Sequence, residues 1–203
     1  IKYCKRNKVK LIHMSSTSVY GKQAEIVDEN CEKKYLKPQS PYAKIKLIEE
    51  KMLKKEGKNL KYVTFRFGTI AGVSKGIRFH TAVNKFCFQA SYGMHLTVWR
   101  SAINQKRPYL DIDDAISAIN FFIDKGLDNQ IYNVVTHNLS VQQIIDEISL
   151  SVTDLQVDLV DSKIMNQLSY EVDDSKIREK GFTPSGNLKN KITETIQILT
   201  SHR

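Results

Sequence analysis

Cysteine is scarce in this chain: Cys4, Cys31 and Cys87 are three in 203 residues, odd in number and without a Cys-x-x-Cys spacing. That excludes a disulfide framework and a zinc site, and it fits reduced thiols in a cytoplasmic setting. In that setting the sequon Asn138-Leu139-Ser140 is coincidental. No apolar run approaches the roughly eighteen residues of a membrane span. The basic opening IKYCKRNKVK lacks the apolar stretch that would make it a secretory signal, and it lacks a starting methionine. Glycine is sparse too, with nine in all and no phosphate-binding loop. GTIAGVSKG (68–76) follows an apparent strand, but its spacing is G-x-x-x-G-x-x-x-G. It matches neither the dinucleotide fingerprint nor a P-loop.

What is present is a soluble globular composition, 41% hydrophobic and 26% charged, long enough to bury a real core. The net charge of +9 raises a nucleic-acid reading. Stretches such as LIEEKMLKKEGKNLK interleave bases with acids, and no nucleic-acid-binding motif accompanies them. The expectation is therefore no nucleic acid and no membrane, with anionic small molecules as partners.

Short apolar runs alternate with amphipathic patterns, as βα units do. VKLIHMSS (9–16) reads as a buried strand ending in hydroxyl residues, followed by a polar stretch over 21–39. Ser40 then caps a helix with Pro41 in its first turn and Gly57 at its end, and Ile45, Ile48 and Met52 mark an apolar face. YVTFRF (62–67) is a second strand. A helix over 84–90, a strand over 96–99, a helix over 113–126 and a strand over 131–135 follow. Ser140 caps a further helix, and the tail from Asn187 is again amphipathic.

Tyr42 and Lys46 stand at i and i+4 on one helix face. A phenol is a poor base at neutral pH, and a neighbouring ammonium favours its phenolate. In a lysine-rich chain the spacing also arises as plain helix decoration. Ser15, Ser16, Thr17 and Ser18 end the first strand, where open α/β sheets bind ligands. Their hydroxyls suit either a substrate oxygen or the turn backbone.

VKLIHMSSTSVYG, SPYAKIKLIEEKML and YVTFRFG, in that order, resemble the extended short-chain dehydrogenase/reductase family, and within it the NAD-dependent nucleotide-sugar epimerases and dehydratases. QKRPYLDIDDAISAI, IYNVVTHNLSVQQIIDEI and VDDSKIREKGFTP extend the resemblance over essentially the whole chain. It implies the C-terminal part of a Rossmann-type doubly wound parallel sheet with a small α/β substrate-binding lobe. Residues 1–70 and 109–135 would form an incomplete NAD-binding domain, its glycine-loop half missing by truncation. Residues 71–108 and 136–203 would form the substrate lobe, with GTIAGVSKG as a substrate-side loop. The resemblance casts Tyr42 as acid/base, Lys46 as its partner and a nicotinamide-ribose ligand, and Ser16 as the third catalytic member. Ser15 would also touch the cofactor, NAD or NADP. Thr17, Ser18, Thr69, Arg78 and Arg107 would contact a nucleotide-diphosphate sugar, with His80 a weaker candidate.

Departures bear on the reaction. Thr17 and Ser18 stand where the dehydratases carry an Asp-Glu pair, which favours epimerisation over elimination. Thr69 replaces an asparagine, Pro108 an aspartate and Phe182 a tryptophan. The resemblance leaves a reductase, dehydratase or decarboxylase open, and a non-catalytic NAD(P)-sensing protein as the different-class reading. It implies a homodimer for the full-length enzyme.

Overall fold

The computed structural model describes residues 1–23, 26–161 and 169–201. A short helix α1 (Lys2–Asn7) leads into β1 (Leu11–Ser16), α2 (Pro41–Glu56) and β2 (Tyr62–Phe67). β3 (Thr69–Ala71), α3 (Ala82–Ser91), β4 (Leu96–Trp99), β5 (Lys106–Asp111) and α4 (Ile112–Lys125) follow. The remainder comprises β6 (Ile131–Val134), β7 (His137–Ser140), α5 (Val141–Ser149), β8 (Val157–Val160), α6 (Ser175–Glu179) and α7 (Leu188–Ser201). The class is α/β.

β1, β2 and β6 form a parallel sheet in that order, with Ser16 opposite Phe67 and Phe67 opposite Val134. β2 is central and buried at all six positions, as a strand covered on both faces must be. A second sheet runs β3-β5-β7, parallel then antiparallel, and β4 pairs with β8 in a third. Phe65, Phe67, Phe122 and Tyr132 centre one apolar core, between β2, α4 and β6. Cys87, Leu96, Ile144 and Ile192 belong to another, among α3, α5 and α7. β5 serves both: Tyr109 enters the second core and Leu110 the first.

α2 starts and stops where its sequence directs. Ser40 Oγ accepts the Ala43 N–H at 3.1 Å, Pro41 fills the first turn, and Gly57 ends the helix at φ 55°. Its buried face differs from the expected one. Ile45, Ile48 and Met52 are each more than half exposed, and Ala43, Glu50 and Leu53 face inward. A charged residue takes the inner face because its partner waits there: Arg66 of β2 donates to Glu50 through Nε at 3.0 Å and Nη2 at 2.6 Å. The three cysteines are free thiols.

Candidate active site

A cleft of about 860 Å³ opens at the carboxyl ends of β1 and β2, the end at which open α/β sheets receive ligands. Met14, Ser15, Ser16 and Ser18 reach it from the end of β1 and the turn beyond. Tyr42 and Lys46 reach it from the first two turns of α2. The opposite wall is Phe67 to Ile70, then Gly72, Ser74 and the run into α3 through Ile77, Arg78, His80, Thr81 and Asn84.

Tyr42 stands at the rim, half exposed, with the Lys46 ammonium 5.8 Å from its ring centroid. Lys46 is anchored by Glu49, whose Oε2 accepts from Lys46 Nζ at 2.9 Å. His13 of β1 meets that same oxygen through Nε2 at 3.0 Å and touches Thr64 Oγ1 at 3.3 Å through its other nitrogen. The hydrogen bonds from His13 and Lys46 hold the Glu49 carboxyl below its ordinary range.

Ser16 Oγ accepts from the Ser18 N–H at 3.2 Å and from the Ser18 hydroxyl at 2.9 Å. Two incoming donors leave the Ser16 hydrogen to point elsewhere, and Ser16 lines the cleft. Ser15 also lines it, but its hydroxyl is committed, donating to Glu50 Oε1 at 2.6 Å. Thr17 is placed away from the expected substrate contact. The short 3₁₀ turn after Ser16 aims it inward, where its Oγ1 lies 3.3 Å from both the Phe67 carbonyl and the Tyr170 hydroxyl.

Thr69, Arg78 and His80 line the cleft. Arg107 does not: it sits on β5 opposite Leu139 of β7, outside the lining residues. Burial pushes the Tyr109 phenol up to about 12, opposed by the Arg107 charge.

GTIAGVSKG owes two of its glycines to packing. A Cβ at Gly68 would lie 3.1 Å from the Pro108 carbonyl oxygen, and Gly72 has φ +123° with Ile112 2.9 Å from where a Cβ would stand. Asn84, which stands in no sequence motif, braces this wall from the first turn of α3. Its Oδ1 accepts from Gly72 N at 3.2 Å and its Nδ2 donates to the Arg78 carbonyl at 3.3 Å. Glu49 and His13 were missed as well. Their only signal is spacing: Glu49 one helical turn beyond Lys46, and a histidine between the apolar residues Ile12 and Met14 of β1.

No aspartate or glutamate lines the cleft among the described residues, whereas Lys46, Arg78 and His80 do. Such a wall suits a phosphorylated ligand. It also suits the ribose end of a dinucleotide, with Lys46 the ammonium able to hold the ribose hydroxyls.

The sheet order and the cleft at the carboxyl ends of its strands together define a Rossmann-like α/β protein. A family model described as the NAD dependent epimerase/dehydratase family matches residues 1–135, more than half of the chain, and the protein belongs to that family. The chain is 26% identical over 200 residues to an Arabidopsis thaliana trifunctional UDP-glucose 4,6-dehydratase/UDP-4-keto-6-deoxy-D-glucose 3,5-epimerase/UDP-4-keto-L-rhamnose-reductase. That alignment takes in 95% of this chain and 30% of the relative, so the chain spans under a third of it. Among solved structures, UDP-N-acetylglucosamine 4-epimerase from Methanobrevibacter ruminantium M1, in complex with UDP-N-acetylmuramic acid, superposes with a TM-score of 0.84 at 23% identity. It covers 98% of this chain and 66% of that one. Thermus thermophilus UDP-glucose 4-epimerase, in complex with NAD, gives 0.83 at 21%, covering 98% and 66%. At these identities the two structures establish the fold.

Proposed function

We propose that this chain carries the chemistry of an NAD-dependent epimerase acting on a nucleotide-diphosphate sugar. One observation carries the choice of reaction: the cleft that joins Ser16, Tyr42 and Lys46 is lined by apolar side chains, basic groups and hydroxyls and, among the described residues, by no carboxylate. Eliminating water from a sugar needs a placed acid and base. With Ser18 hydrogen-bonded to Ser16 and Thr17 buried, the wall offers no acidic pair for that step. A dehydratase, reductase or decarboxylase of the same family is the second reading, and the multifunctional plant relative keeps it in view.

In the proposed cycle the Tyr42 phenolate takes the proton from a sugar hydroxyl while Ser16 donates a hydrogen bond to the same oxygen. Lys46 keeps positive charge beside the phenol and binds the ribose of the cofactor. Bound nicotinamide supplies a reversible hydride acceptor. The keto sugar turns over in the cleft, and Tyr42 returns the proton to the oxygen. Arg78, His80 and Thr69 hold the diphosphate side, so that binding energy far from the reacting carbon positions the sugar. Residues 1–70 with 109–135 serve the cofactor side and the other two segments the substrate side, with β5 crossing between them. The exposed Ile45, Ile48 and Met52 face of α2 supports a homodimer in which a second copy covers it.

The test is a steady-state assay on the whole polypeptide that contains this chain, with UDP- and ADP-sugars as substrates. Interconverted sugar epimers with no net change in NADH absorbance support the reading. Stoichiometric NADH formation or loss, or release of a 4-keto-6-deoxy sugar, would replace it with the second.

A further inference from the structure

Two segments of the chain together carry a net charge of +9. Residues 1–11 hold Lys2, Lys5, Arg6, Lys8 and Lys10 and no acid; residues 51–61 hold Lys51, Lys54, Lys55, Lys58 and Lys61 and one acid, Glu56. Ten cations against one acid give these two segments the whole +9, and the remaining 21 cations and 21 acids cancel. The fold brings the two segments together. Ile1, Cys4 and Leu11 pack on Leu53, Leu60 and Tyr62, Leu11 N donates to the Lys61 carbonyl, and Lys5 binds Glu56 at 2.6 Å. All ten cationic side chains are exposed. Lysines in the last turn of α2, and Lys5 and Arg6 in that of α1, suit helix carboxyl ends, which accounts for four of the ten.

From this patch we infer a docking surface for an anionic lipid bilayer, against the sequence expectation of no membrane partner. Glu49 and Glu50, the acids that interleave with these lysines in sequence, are committed to His13, Lys46 and Arg66. Nine of the ten cations are lysines, point charges without the planar fork that grips individual phosphates. Tyr3, 72% exposed, and Val9, 44% exposed, stand among them as side chains suited to the headgroup boundary. The patch lies at the amino ends of β1 and β2, and the cleft at their carboxyl ends, roughly 20 Å away along six-residue strands. Docked on this end, the protein keeps its cleft open to solution.

The experiment is vesicle co-sedimentation of the whole polypeptide that contains this chain, at about 0.1 M salt. Phosphatidylcholine vesicles containing roughly a third phosphatidylserine are compared with pure phosphatidylcholine. A short labelled DNA duplex is titrated in parallel. Binding to the anionic vesicles alone, abolished by high salt, is expected. Each lysine at such a surface is worth roughly fivefold in partition, so Lys54→Gln/Lys55→Gln/Lys58→Gln together should weaken binding about a hundredfold. Lys2→Gln/Arg6→Gln should weaken it about twenty-fivefold, an independent check on the other segment. Lys33→Gln/Lys34→Gln, outside the patch, should leave binding unchanged. No binding to the anionic vesicles, equal loss in the Lys33/Lys34 variant, or tighter binding to the duplex than to vesicles would overturn the proposal.

Discussion

Glu49 and Glu29 show how single carboxylates in this fold answer to pH in opposite senses. Glu49, held below its ordinary value by the His13 and Lys46 hydrogen bonds, contributes stability above that value and loses it as pH falls. Glu29 is the reverse: burial raises its pKa from the usual 4.5, although its Oε1 accepts the Asn133 N–H at 2.5 Å. Its contribution is complete below the unfolded value and is lost as pH rises through the folded one. Glu29→Gln keeps a carbonyl acceptor and removes the titration. Urea midpoints followed upward from pH 4.5 should therefore fall less steeply in Glu29→Gln than in the parent, and parallel profiles would refute this. The Lys46–Glu49 pair is partly exposed, a setting worth roughly 0.2–1 kcal/mol. Any cofactor that recruits Lys46 competes with it. Glu49→Gln is expected to tighten cofactor binding by up to about fivefold with kcat little changed, as initial-rate kinetics on the whole polypeptide would show.

At the scale of elements, what is local in sequence was legible and what is contributed from afar was not. α2 announces its ends through Ser40, Pro41 and Gly57, residues that act within one turn of themselves. Its inward face is set by Arg66 and Ser15, sixteen and thirty-five residues from Glu50, and periodicity alone pointed to the exposed isoleucines. β3, β7 and β8 have three or four residues, too few to show an alternation. β5 hides behind Pro108, a residue that argues against a central strand. The site divides in the same way. Ser16, Tyr42 and Lys46 were readable as a motif, whereas Glu49, His13 and Asn84 reveal themselves only by what they touch. Two outcomes follow for α2. Ser40→Ala should cost about 1 kcal/mol in chemical denaturation through the lost cap. Glu50→Ala should cost about 3–5 kcal/mol, because it leaves the Arg66 charge buried without its carboxylate. A Glu50→Ala cost no larger than that of Ser40→Ala would show that the pair is not what fixes the helix.

At the scale of the molecule, a basic end and a cleft stand at opposite ends of β1 and β2, and α2 carries an exposed apolar stripe between them. No helix among the described residues is long and apolar enough to cross a membrane. The chain contains the tyrosine, lysine and serine expected of an epimerase but no glycine-rich phosphate loop. Taken alone it should bind NAD more weakly than micromolar, because the diphosphate lacks its cradle of backbone N–H groups. Calorimetric titration giving micromolar affinity would contradict that. The central claim is that Tyr42 moves the proton, and the direct measurement is turnover of Tyr42→Phe in the whole polypeptide, with circular dichroism confirming the fold. The account predicts a loss of roughly 10²- to 10⁴-fold in kcat with the sugar nucleotide still bound. Unchanged turnover in a folded Tyr42→Phe protein would contradict it.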